Sequence, residues 1–197
     1  MISIKDEVTS EIIINKSKFI SILTPVNDLN EVNDKIKYIK NTYKNATHYC
    51  YGYIIYNHEK CSDDGEPSKT AGMPILNVLK SNNLMNVLCV VVRYFGGIKL
   101  GSGGLIRAYS SAASLALQKS KTGVLEEGYQ IKISFNYDNI KNVDYILKEI
   151  EIDKTFDDLV YYKFNISKYS FDFIKDNLLK YCEILEKNEI KLIKEDN

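Results

Sequence analysis

The residues best suited to chemistry fall between Ser62 and Ser110. Asp63, Asp64 and Glu66 crowd an acidic Gly/Pro turn, SDDGEPS, and Arg93 leaves the apolar run Val87–Phe95. Lys99 and Ser102 lie among Gly96, Gly97, Gly101, Gly103 and Gly104, and Arg107 stands one turn into the small-residue helix that follows. A glycine loop between a strand and a helix offers free backbone N–H groups and the positive helix end to an anion. Lys99 would add charge and Ser102 a hydroxyl, so Lys99, Ser102, Gly103 and Gly104 are candidate donors to a phosphate or a nucleic-acid backbone. The spacing fits neither GxxxxGK[ST] nor a full GxGxxG, which removes the mononucleotide motifs. The same glycines serve equally well in a bulged, tight corner that needs positive φ.

An arginine at the end of a buried strand is either paired internally or aimed at a ligand. For Arg93 the internal partners are Asp63, Asp64 and Glu66; the ligand reading joins it to Arg107 beside the loop. The acidic turn is accordingly structural or ligand-facing. It lacks EF-hand spacing, and no metal is expected there. His48 and His58 are the two histidines. A His58–Cys61 base–nucleophile pair would sit three residues apart on a loop, a poor arrangement for catalysis, and nothing resembles a triad. No catalytic residue is assigned. Tyr49, Tyr51 and Tyr53, which share one strand face, could join Tyr56 and Tyr94 in stacking bases, or could be half-buried sheet residues.

Positioning these groups requires a series of elements. Glu11–Ile14 and Phe19–Leu23 read as a hairpin around Asn15–Lys18. Leu29, Val32, Ile36, Ile39 and Tyr43 recur at helical spacing behind an Asp28/Glu31 capping box. Tyr49–Tyr56 reads as a strand, Cys61–Thr70 as a polar loop, and Ile75–Leu79 as a short helix with Pro74 in its first turn. Val87–Phe95 is a central strand buried on both faces, and Leu105–Gln118 is a helix with an alanine face. Gly123 and Gly128 bracket a short strand or linker. Beyond them the order becomes strand Gln130–Tyr137, helix Ile140–Ile150, strands near Thr155 and over Val160–Ile166, helix Phe171–Tyr181 and strand Ile184–Ile193. That βαββαβ order is ferredoxin-like. The fold class is therefore α+β, with domains over residues 1–128 and 129–197.

The 197 residues carry 26 Lys+Arg against 26 Asp+Glu, so no general attraction to nucleic acid or membrane is implied. The balance tilts from +3 up to Gly128 to −3 from Tyr129 onward. Cys50, Cys61, Cys89 and Cys182 form no CxxC pair. With no signal peptide and no apolar run near ~20 residues, a reduced cytoplasmic setting and no membrane span are expected.

The motifs KSKFI, ATHYCY, SDDGEPS, TAGMP and VVVRYFGGIKLGSGGLIRAY, in this order from Lys16 to Tyr109, resemble the bacterial YigZ branch of the IMPACT family. Lys69 departs from the pattern, which more often has glycine there. The resemblance implies an N-terminal domain like the second domain of ribosomal protein S5. It also implies a C-terminal domain like the ferredoxin-like domain V of elongation factor G. Eukaryotic relatives regulate translation through an initiation-factor kinase, using an extra N-terminal domain that is not expected for this chain, so that mechanism is not carried over. For bacterial members the resemblance implies association with RNA or the ribosome in a translation-related role and defines no activity. Together with the residues above, which assign no catalytic group and no cofactor and suit the cytoplasm, the expectation is a non-catalytic, cytoplasmic protein of that kind. Two alternatives stand beside it. One is a small phosphorylated-ligand-binding protein or enzyme using the acidic turn and glycine loop; the other is a protein-interaction adaptor with a protein partner.

Overall fold

The computed structural model describes residues 2–56 and 58–195. The chain forms two compact units, one running to Val124 and the other spanning Leu125–Lys194. In the first, β1 (Ile2–Ile4) precedes the hairpin β2 (Val8–Ile14) and β3 (Ser17–Pro25). Asn15 and Lys16 both hold positive φ, 45° and 64°, the requirement of a two-residue primed turn. The turn is thus tighter than the sequence suggests, and Ser17 and Lys18 already belong to β3.

Helix α1 (Leu29–Thr42) starts at Asp28, whose carboxylate accepts from the N–H groups of Asn30 and Glu31 at 2.7 and 2.9 Å. The Glu31 carboxylate reaches back to the Asn27 N–H at 2.7 Å. The expected capping box therefore closes one residue earlier than its usual form, still satisfying orphan donors.

Next come β4 (His48–Ile55), β5 (His58–Ser62), α2 (Gly72–Ser81), β6 (Val87–Tyr94) and α3 (Gly101–Lys119). The sheet order is β2-β3-β6-β4-β5, with every pairing antiparallel. β6 is central and buried on both faces because its side chains alternate between two cores. Val87, Cys89 and Val91 pack with the α2 and α3 residues Leu79, Ala108, Ala112 and Ala116. Leu88, Val90 and Val92 pack with the α1 residues Val32 and Ile39. Each such buried Val or Leu stabilises the unit by about 1.5–3 kcal/mol, and the alanine face lets α3 lie close to the sheet.

Two expectations need correction. Residues 58–62 form an edge strand, not a loop: His58 pairs with Ile55 and Cys61 with Gly52. Its polar sequence, HEKCS, reflects an exposed edge and hides the strand from apolar patterning. Likewise α3 begins at Gly101, not Leu105, so the true loop is Phe95–Leu100.

The strand β7 (Thr122–Phe135) is continuous where a linker or short strand was expected; Thr122–Val124 pairs with β1. The second unit continues through a 3-10 turn (Tyr137–Asn139), α4 (Ile140–Ile146), β8 (Ile152–Phe156), β9 (Val160–Ser167), α5 (Lys168–Leu178) and β10 (Glu183–Glu195). Its strand order, β8-β9-β7-β10, is that of a ferredoxin-like unit. Ile131, Ile133, Tyr162 and Phe164 from the sheet meet Val143, Phe171 and Leu178 from the helices. α4 is shorter than the expected Ile140–Ile150. α5 starts before the expected Phe171, where the Ser167 hydroxyl accepts from the Ser170 N–H at 3.1 Å. Among the described residues, no helix is long and apolar enough to cross a membrane.

Candidate functional site

The acidic turn follows β5, and its three carboxylates have three different tasks. Asp63 Oδ1 accepts from the N–H groups of Ala71 and Gly72 at 3.0 and 2.8 Å, while Oδ2 accepts from the Lys69 N–H at 2.8 Å. Asp63 thereby caps α2 from outside it, since Ala71 has no capping side chain of its own. Asp64 Oδ2 accepts from the Tyr49 N–H at 2.7 Å, tying the turn to β4. Glu66 alone turns inward to Arg93, with Nη1 2.5 Å from Oε1 and side chains only 6% and 4% exposed. Of the three candidate partners of Arg93, Asp63, Asp64 and Glu66, the structure selects Glu66.

Around this pair the turn is sealed. The Tyr109 hydroxyl donates to Glu66 Oε1 at 2.8 Å, and the Cys50 thiol lies 3.3 Å from that hydroxyl and 3.0 Å from the Asp63 carbonyl. His48 Nδ1 lies 2.8 Å from the Asp64 carbonyl, and Nε2 lies 3.9 Å from Glu66 Oε2. Arg93 Nη2 donates to Ser17 Oγ at 3.3 Å, and Ser17 Oγ also accepts from the Gly96 N–H at 3.2 Å. The guanidinium lies 5.4 Å from the ring centres of Phe19 and Phe95. Burial, reinforced by Glu66, Asp64 and Asp63, pushes the Cys50 thiol up to about 12. Burial first, and then the neighbouring Cys50 and Glu66, also raises Tyr109 far above an ordinary phenol. These groups remain protonated at neutral pH, so the network is a polar core and not a set of poised nucleophiles. Cys50 and Tyr109 were not expected in it; they come from separate elements, and only the fold brings them together.

His58 and Cys61 stand at an odd offset on β5 and so point to opposite faces. Burial, Asp63 and Glu59 raise the Cys61 thiol. Tyr49, Tyr51, Tyr53 and Tyr94 belong to the core on the α1 side. The Tyr49 and Tyr94 hydroxyls donate to the carbonyls of Tyr43 and Lys44. Among the described residues, no group of three or more His, Cys, Asp or Glu side chains is arranged to hold a metal ion.

The glycine loop has a different character. Gly96 lies against the backbone of Lys16 and Ser17, where a Cβ has no room, and Gly97 and Gly101 hold φ of +84° and +69°. These three glycines turn the corner. Gly103 needs no such explanation: its φ is ordinary, and a Cβ there would meet only the flexible Arg107 Nη1, at 3.6 Å. The α3 N-cap, Leu100, offers no side-chain acceptor. The helical pattern engages the Gly104 N–H with Leu100, leaving those of Gly101, Ser102 and Gly103 as first-turn donors. Lys99, Ser102, Gly103 and Arg107 are exposed, and Gly104 is half-buried. Beside them a groove of about 300 Å³ is lined by Ile14, Asn15, Leu100, Gly104, Arg107, Ala108 and Ser111. Among the described residues, no carboxylate forms an ion pair with Lys16, Lys99 or Arg107. The structure thus gathers Lys99, Ser102, Gly103, Gly104 and Arg107 on one loop and helix start, while Arg93 is buried against Glu66.

A buried acidic-turn clamp beneath an exposed glycine corner, on an antiparallel sheet with helices on both faces, is the architecture to set beside known proteins. Residues 15–117 match the family described as the Impact N-terminal domain. "IMPACT family member YvyE" of Bacillus subtilis is 47% identical over 127 residues, covering 63% of this chain and 58% of that protein. An "IMPACT family member" of Haemophilus influenzae is 33% identical over 154 residues, covering 76% and 75%. A crystal structure of a hypothetical protein aligns with TM-score 0.61 and 25% identity, over 93% of this chain and 95% of that one. The chain belongs to the IMPACT family. The match spans less than two thirds of the Bacillus relative's length.

Proposed function

We propose that this is a non-catalytic, cytoplasmic protein that associates with RNA or the ribosome and acts in translation, through the exposed corner formed by Lys99, Ser102, Gly103, Gly104 and Arg107. The observation that carries the reading is Gly103. Glycine is a poorer helix former than alanine, by up to roughly 0.5–1 kcal/mol in a helix interior, and at this first-turn position neither φ nor close packing requires one. Bare backbone at that point lets a phosphate approach the first-turn N–H groups, with the Lys99 and Arg107 side chains alongside. Arg93 supports this surface from below, holding Ser17, Gly96 and Phe95 in place, and is not itself a phosphate ligand. Family membership supports the translational part of the reading. A likeness of the first unit to a ribosomal S5 domain, and of the second to elongation factor G domain V, belongs to the same proposal.

The test is fluorescence anisotropy with a single-stranded RNA oligonucleotide across a salt series. Binding should weaken steeply with salt, by a log–log slope of about −0.7 per phosphate contact, and the slope should flatten in Lys99→Glu and Arg107→Glu. Absence of binding at low salt, or binding indifferent to both changes, refutes it.

The groove beside Gly104 favours a second reading, a small phosphorylated ligand held by the same donors. Thermal-shift measurements with phosphorylated metabolites separate the two, because a ligand of the folded state raises the melting temperature.

A further inference from the structure

The second unit has an interrupted sheet edge. β8 pairs with β9 only from Ile152↔Phe164 to Phe156↔Val160. β7 pairs with β9 as far as Gly128↔Ser167. Among the described residues, Asn165, Ile166 and Ser167 therefore have a neighbour strand on one side only. Beside them is a cavity of about 850 Å³. Its lining includes Phe164 and Ile166, which face the helices, and also Lys163 and Asn165, which face the other way. A void bordered by both faces of a strand wraps its free edge, where the neighbour strand ends, and from there extends over the sheet to Gln130 of β7 and Leu192 of β10. Tyr169 and Phe173, four residues apart on α5 and 84% and 85% exposed, rise beside it.

We propose that this edge is a docking slot for an extended basic segment of a protein partner, which joins the sheet as an added strand next to β9. Main-chain bonds to Asn165–Ser167 would supply affinity, and alternate side chains would enter the apolar floor between α4 and α5. Charge selects the occupant. On the rim Lys148 pairs with Glu149 at 3.8 Å, which leaves Glu126, Glu151 and Asp153 against Lys163. That excess of carboxylates repels a nucleic-acid backbone and attracts lysine or arginine. The slot is thus opposite in character to the cationic glycine corner, and its test does not depend on RNA binding there.

The probe is a labelled peptide of about eight residues alternating Lys and Val, added to the full chain and followed by anisotropy. A Glu/Val peptide and a backbone N-methylated Lys/Val peptide are the controls. The Lys/Val peptide should bind saturably and slow amide exchange at Asn165–Ser167. Phe173→Ala, and separately Glu151→Lys with Asp153→Lys, should each weaken it about tenfold or more. Both sites are exposed, so folding should survive, as circular dichroism would check. Failure of the Lys/Val peptide to bind, equal binding of either control, or indifference to Phe173→Ala overturns the proposal. Displacement of the peptide by an RNA oligonucleotide would also overturn it.

Discussion

Arg93 and Glu66, 27 residues apart, form a buried ion pair that fastens the acidic turn to the end of the central strand. Tyr109 and Ser17 add hydrogen bonds to the same two side chains. The pair joins two of the motifs: SDDGEPS supplies the carboxylate and VVVRYFGG the guanidinium. It also fixes the floor under the exposed loop, since Ser17 bridges Arg93 and the Gly96 N–H.

Removing one partner leaves a buried charge uncompensated, so Arg93→Met or Glu66→Gln alone should destabilise the fold by about 3–5 kcal/mol in urea unfolding. The double change Arg93→Met with Glu66→Leu should recover a large part of that loss. Additive losses would mean that the two side chains act independently.

Asp63 accepts from three backbone donors at the start of α2 and in the turn before it. Asp63→Ala should lower stability by about 1–3 kcal/mol, and Asp63→Asn, which keeps one carbonyl oxygen, by less. Amide exchange at Ala71 and Gly72 would localise the effect. Unchanged exchange there would argue against a capping role.

Lys69 holds φ +62°, in the left-handed region that suits glycine. The departure from the family pattern therefore falls on strained backbone. Lys69→Gly should stabilise the fold by about 1 kcal/mol in urea unfolding, the relief of that strain less the extra entropy of an unfolded glycine. A loss of stability would show that the lysine side chain contributes more than the strain costs.

The buried thiols set an alkaline limit. Cys50 and Cys89 are pushed up to about 12 by burial, against an ordinary value near 9. Between those values the folded state holds protons that the unfolded chain has released. Stability is then complete below pH ~9 and declines as pH rises toward 12, by up to ~1.4 kcal/mol per pH unit for each thiol. Urea midpoints from pH 8 to 10.5 would check this. A rise over that interval would contradict it.

The local elements were legible where sequence and structure share a rule. The polar stretch Asn15–Lys18 marks the hairpin, though its turn closes on Asn15–Lys16; Asp28 marks the start of α1, and the unbroken apolar run of β6 its central place. The β5 strand was not legible, because an exposed edge strand carries polar residues and makes no apolar pattern. The start of α3 was hidden by glycines whose low helix propensity placed Gly101–Gly104 in a loop. The choice of Glu66 over Asp63 and Asp64 depends on the φ values at Asp64 and Gly65, +42° and +89°, which no spacing rule contains. Gly103 stood out only after the structure assigned Gly96, Gly97 and Gly101 to the corner.

The most direct test of the functional reading is RNA binding by Gly103→Ala at low salt, measured with urea unfolding of the same protein. The expected result is a fold as stable as the parent or more stable by about 0.5–1 kcal/mol, with RNA affinity reduced about tenfold. A protein that gains stability and binds RNA as tightly as the parent would contradict the claim that the bare backbone at Gly103 admits a phosphate.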